Sequence, residues 1–211
     1  ILLAGKQQHL TEPLLSFVGK LAGDRADVLC FQNGIGHTDK IAAVVGPRRV
    51  HLAVTTEGAK RLAPDRVAHT GSGTTWIGAA YPPKAERDAK PRHGGDKLEN
   101  LRETLKKAGF RTLLSNQMKE IVWNKLLINS VINPLTALLR IPNGQLPATN
   151  DRRRLMRALL DEGLALARAL NVRTSDDVWE QIIAVCAATA ANSSSMLQDL
   201  SAGRSTEIDW I

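Results

Sequence analysis

The run from Ile121 to Leu139 carries a single charge, Lys125, among Leu, Ile, Val, Trp, Ala and small polar residues. Within it Lys125, Asn129 and Asn133 recur at four-residue steps, the spacing that places side chains on one face of an α-helix. A helix this apolar must be buried on most sides. Its polar stripe then needs partners, because an orphaned buried group costs ~1–3 kcal/mol and a lone ammonium costs more. Two readings are open. Either a polar ligand or a reacting group completes the stripe, or the asparagines bond loop backbones while the lysine snorkels to water.

At 211 residues the chain suits one large or two small domains. Lys and Arg outnumber Asp and Glu 28 to 21, a net charge of +7 that would attract nucleic acid, anionic lipid or a small anion. The basic residues are scattered, as at Arg48–Arg49, Lys106–Lys107 and Arg152–Arg154, with acids between them. That pattern reads as a solvated surface, and no nucleic-acid partner is expected. Cys30 and Cys186 stand far apart inside apolar runs and read as buried reduced thiols. The five histidines form no metal-ligand spacing and no triad with a serine. No apolar run approaches the ~18 residues of a membrane span, and nothing resembles a signal peptide. A cytoplasmic protein without a membrane partner is expected.

The two halves differ in period, and the expected fold class is α/β plus all-α. Ile1–Ala4 and Val28–Phe31 read as buried strands around an amphipathic helix at Glu12–Ala22, an order that favours parallel pairing. Val50–Thr56, Arg66–Thr70 and Thr74–Gly78 read as antiparallel hairpin strands. The turns between them contain Pro64–Asp65 and Gly71–Ser72–Gly73. A Pro- and Gly-rich stretch, Tyr81–Gly95, precedes a helix at Asp96–Ala108 that stops at Gly109. From Ser115 onward the patterns are helical: Ser115–Leu139, Asp151–Leu170 and Ser175–Ala202. Pro134 is expected to kink or end the first of these after Asn133. The domain boundary is placed near residues 112–116, dividing the chain into 1–114 and 115–211.

Asn33–Gly34–Ile35–Gly36 follows a strand, yet Asp39 stands where a dinucleotide loop has its third glycine. This is no phosphate cradle, although Asn33 at a strand's carboxyl end is placed to line a crevice. In the last helical pattern Asn192, Ser195 and Asp199 fall on one face, after the small residues Ala187–Ala191. Thr206–Glu207–Ile208–Asp209 then reads as a helix start, with Glu207 either a capping residue or a functional carboxylate. A lysine, neutral hydrogen-bonders and a carboxylate on helices are the parts of a general-acid site.

Taken together, NKLLINSVINPLTALLRIPNGQL, NSSSMLQDL, STEIDWI and, more weakly, FQNGIG resemble the ketopantoate reductase (2-dehydropantoate 2-reductase) family over essentially the whole chain. The resemblance implies an NADPH-dependent reduction of ketopantoate to pantoate in pantothenate and coenzyme A synthesis. It implies a partial NADP-binding Rossmann-type domain followed by a helical substrate and catalytic domain. Lys125 would then be the general acid, with Glu207 bonding substrate and positioning the lysine. Asn129 and Asn133 would bind the substrate's hydroxyl end and Ser195 its carboxylate, with Asn143 and Asn192 in support. Asn33 would sit where nicotinamide meets substrate, and Lys6 and Thr56 on the cofactor side, although His9 stands where the family often has glutamine. No metal is implied, and a homodimer is compatible. The family's glycine-rich loop is absent from the sequence. By the resemblance, about a third of a nucleotide-binding domain would precede Ile1 and a helical segment would follow Ile211. This stretch by itself is therefore expected to bind NADPH poorly. A relative acting on another 2-keto acid and a non-catalytic binding module are the alternatives.

Overall fold

Apolar runs without polar alternation suit strands covered on both faces, and the N-terminal half is built on two of them, at Val28–Cys30 and Val50–Thr55. The structure, a computed structural model, describes residues 1–82 and 96–211. Strands β1 (Leu2–Leu3) and β2 (Val28–Cys30) are parallel and are joined by helix α1 (Glu12–Ala22). Helix α2 (His37–Val45) leads to β3 (Val50–Thr55), parallel to β2. Strands β4 (Gly58–Ala63) and β5 (Arg66–Gly71) then form a separate two-stranded sheet. β6 (Thr75–Ala79) returns antiparallel to β3, and β7 (Thr112–Leu114) closes a five-stranded sheet of order β1-β2-β3-β6-β7. Between them α3 (Asp96–Lys107) packs Leu98, Leu101 and Leu105, spaced as one helical face, over Leu29, Ala53 and Ile77.

Four expectations for this half are corrected. The strand at Ile1–Ala4 is not buried, because β1 lies at the edge of the sheet and leaves Leu2 59% exposed. Val50–Thr55 is no simple hairpin strand, because it pairs parallel on one side and antiparallel on the other. β4 and β7 are strands that the sequence reading left out. Gly71–Ser72–Gly73 is no hairpin turn either, since β5 and β6 belong to different sheets. The Pro64–Asp65 turn does join a paired hairpin, β4 to β5. The Pro- and Gly-rich stretch lies outside the described residues from residue 83 onward.

The C-terminal half is helical: α4 (Met118–Leu139), α5 (Asn150–Ala169), α6 (Val178–Ala188) and α7 (Ser195–Ser201), with a short 3-10 helix at Asn143–Ala148. Leu127, Val131 and Leu135 of α4 share a face and pack with Met156, Leu160 and Ile182. Trp123 and Leu126, on another face, meet Ala167 and Val172. Burial on several sides explains why α4 is apolar nearly all round. It also explains why the helix does not end at Asn133. It runs on through Pro134, because Ile132, Asn133, Leu135 and Thr136 are all buried and packing outweighs the lost backbone bond.

The pattern at Ser175–Ala202 is likewise not one helix. Its middle is drawn away by the 3-10 segment. Asn143 N–H donates to Asn192 O (3.0 Å) and Gly144 N–H to Ala190 O (3.1 Å), while Asn143 Nδ2 donates to Thr189 Oγ1 (2.9 Å). A side chain on Gly144 would bring its Cβ within 2.5 Å of Ala190 Cβ, so the small-residue patch serves this close approach. The polar run Asn192–Ser194 competes for backbone bonds, and Ser194 starts a new helix by accepting from Leu197 N–H (3.1 Å).

By contacts between residues the chain forms two units. One is Ile1–Gln32 with Gly36–Met118; the other is Lys119–Ile211 together with the tripeptide Asn33–Ile35. Among the described residues no helix is long and apolar enough to cross a membrane.

Candidate active site

The helical unit carries a cleft lined by polar groups from α4, α7 and the chain end. Asn129 and Asn133 supply one wall, Ser195 and Asp199 a second, and Glu207 with Trp210 a third. Asn33 and Gly34 of the tripeptide line it as well, tied to the unit by Ile35 N–H donating to Trp210 O (3.4 Å). Met196 and Ile211 give the lining an apolar share. Asn133 and Asp199 are 8% and 5% exposed, so their polar atoms are held largely out of bulk water.

Each wall has a local cause. On α4 the four-residue spacing aligns Asn129 with Asn133. On α7 the cap at Ser194 sets the helix start, so Ser195 is its first residue. Ser194 is itself fixed to α4 by a hydrogen bond between its Oγ and Thr136 Oγ1 (2.8 Å), both side chains being buried. Glu207 caps the 3-10 helix Ile208–Trp210 and its carbonyl accepts from Trp210 N–H (3.1 Å).

Lys125 lies one turn before Asn129 on the same helix and is partly buried. Burial pushes its pKa down to about 8. At neutral pH it remains mostly protonated, yet it gives up a proton far more readily than an ordinary lysine. That is the range in which a general acid works efficiently.

Five expected residues meet at the cleft: Asn33, Asn129, Asn133, Ser195 and Glu207. Lys125 is outside its lining. Asn143 and Asn192 bond each other's segments elsewhere in the unit, and Asn192 is an exposed loop residue rather than part of a helical face with Ser195 and Asp199. Lys6 and Thr56 belong to the sheet unit. Lys6 caps a 3-10 helix, Gln7–His9, after β1. Thr56 follows β3, and its Oγ1 accepts from Thr74 N–H (2.9 Å). The sequence reading missed Trp210 and the Thr136–Ser194 pair. Nothing in a run of three serines tells which one caps a helix.

The family model described as "Ketopantoate reductase PanE/ApbA C terminal" matches residues 101–211, and that described as "Ketopantoate reductase PanE/ApbA" matches residues 1–82. The chain belongs to the ketopantoate reductase family. A 2-dehydropantoate 2-reductase of Halobacterium salinarum is 34% identical over 186 residues, 88% of this chain and 58% of that protein. Among solved structures, a PanE/ApbA family ketopantoate reductase from Ralstonia eutropha superposes with a TM-score of 0.83 at 28% identity, covering 99% of this chain and 64% of that one. D-mandelate dehydrogenase in complex with NADH superposes with a TM-score of 0.84 at 25% identity, covering 100% and 68%. The chain thus spans about three-fifths of the length of the first curated relatives it matches.

Proposed function

We propose that this chain provides the substrate-binding and proton-donating part of an NADPH-dependent reductase of 2-dehydropantoate. The cleft that gathers Asn129, Asn133, Ser195 and Glu207 on the helical unit carries this reading. Its amides suit a terminal hydroxyl, and its serine hydroxyl suits a carboxylate. The sheet unit fits the nicotinamide end of a cofactor. Strands β1, β2 and β3 are parallel, and ligands of such sheets bind beyond the carboxyl ends, which Lys6 and Thr56 follow. The sequence has no G-x-G-x-x-G cradle for the pyrophosphate.

Bound NADPH would supply the hydride that reduces the ketone. Lys125, one turn before Asn129 on α4 and outside the lining of the cleft, would hold a proton at Nζ and give it to the ketone oxygen as negative charge builds there. A preorganised ammonium in a largely dry site stabilises that charge strongly. Glu207 bonds the substrate and orients the lysine, while Asn129 and Asn133 select the hydroxyl-bearing end.

The test is turnover of 2-dehydropantoate against 2-ketoisovalerate, which lacks the hydroxyl. A site built to bond that hydroxyl should favour the former by on the order of 10⁴ in kcat/KM, and Lys125→Ala should abolish both activities. Equal use of the two acids would move the assignment to another 2-keto acid reductase, a reading supported by the likeness to D-mandelate dehydrogenase. Turnover that survives Lys125→Ala would remove the lysine from its role. No turnover of any 2-keto acid would leave a binding module.

A further inference from the structure

Glu207 lines the cleft from the last stretch of the chain. It ends a strap, residues 202–206, that has no regular structure and is exposed from Ala202 to Ser205. Asp199 ties the start of this strap back to α7 through both its backbone and its side chain. Helix α7 closes with a Schellman arrangement, in which Gly203 N–H donates to Leu200 O (3.1 Å) and Arg204 N–H to Asp199 O (2.8 Å). The turn requires a left-handed residue, and Gly203 has φ +63°. Arg204 then reaches back a second time, its Nε donating to Asp199 Oδ1 (3.0 Å). The carboxylate so held is 5% exposed and lines the same cleft as Glu207.

We propose that Asp199 and Arg204 form a clasp that sets where Glu207 meets the cleft, which makes both of them positioning residues. The inference rests on the role given above to Glu207. A charge-assisted bond between a buried carboxylate and an arginine is directional and short. It therefore limits how far the strap can swing, and hence the reach of the carboxylate three residues on. The arginine side chain is 60% exposed and the aspartate side chain only 7%, so removing the arginine takes a partner from a buried carboxylate and costs some stability. Turnover read well below the melting temperature separates positioning from folding.

The variants are Arg204→Ala, Arg204→Lys, Asp199→Asn and Glu207→Gln in the complete protein, read by melting temperature, kcat, KM and the pH profile of turnover. Arg204→Ala should still fold, with a lowered melting temperature, and lose kcat by on the order of 10²-fold at a temperature where it is fully folded, the cost of misplacing a reacting group by about 1 Å. Its KM for the keto acid should rise as well, because Glu207 is the group given the task of bonding the substrate, while the alkaline limb set by the burial of Lys125 should stay in place. Arg204→Lys should recover part of the loss, and Asp199→Asn should resemble Arg204→Ala. If both clasp variants fold and keep the parent's kcat and KM while Glu207→Gln is inactive, the clasp is not a positioning device and the reading of the site stands. If Glu207→Gln is also fully active, the role of Glu207 falls and the clasp falls with it.

Discussion

Lys125 pays for its chemistry in stability. Its pKa lies at about 8 in the fold against an ordinary 10.5, so the folded state binds a proton less tightly than the unfolded chain. The sign follows directly: stability rises with pH between about 8 and 10.5, and below 8 the penalty is present in full. The gap corresponds to about 3 kcal/mol. Lys125→Met, which keeps the apolar stem, should therefore raise the unfolding free energy at pH 7 by up to about 3 kcal/mol, with the gain shrinking below about 1 kcal/mol by pH 10. Denaturant titrations of both proteins at the two pH values test this. A variant destabilised equally at both would show that the ammonium is well compensated where it sits. At this scale the sequence was readable because a four-residue spacing is a local property. Lys125, Asn129 and Asn133 fell on one helix as expected, and Asn133 proved buried. Asn192 escaped because its fate depended on Asn143, far away in the chain.

The elements were legible where their periodicity was continuous and opaque where another segment competed for the backbone. α1 was found with its bounds, Glu12–Ala22. α6 and α7 were read as one helix, since Ala187–Ala191 and the serines that follow look helical until the 3-10 segment takes their carbonyls. β4 was missed because Gly58–Ala63 is paired only with β5, and its Ala59, Arg61 and Leu62 are exposed. The break between α6 and α7 makes the placing of α7 depend on the Thr136–Ser194 bond. Thr136→Val removes one hydroxyl from a fully buried site and should cost about 1–3 kcal/mol. It should also raise KM for the keto acid more than it lowers kcat, because the next residue, Ser195, shifts with its cap. A double-mutant cycle with Ser194→Ala should return a coupling of at least about 0.5 kcal/mol. Strict additivity would mean that the two hydroxyls do not act together.

For the molecule as a whole, the sheet and the helices were expected in the right order, and the separate cores bear on how it unfolds. Leu29, Ala53 and Ile77 anchor one core; Leu127, Val131 and Met156 anchor another. Scanning calorimetry should resolve two transitions. Ketopantoate at a hundredfold excess over its Kd should raise only the one that reports the helical unit, by about 2.7 kcal/mol. A single transition, or a shift of both, would show that the two cores melt as one. The tripeptide Asn33–Ile35 adds a constraint of a different kind. The chain leaves the sheet unit after Gln32, contributes three residues to the helical unit, and returns at Gly36 before leaving again after Met118. The helical unit is therefore not a contiguous stretch of gene. Recombination that exchanged everything after residue 118 between two relatives would deliver a cleft with Asn33 and Gly34 drawn from the other parent. Any such recombinant would carry a cleft of mixed parentage, which ties residues 33 and 34 to the residues of the helical unit that they meet there.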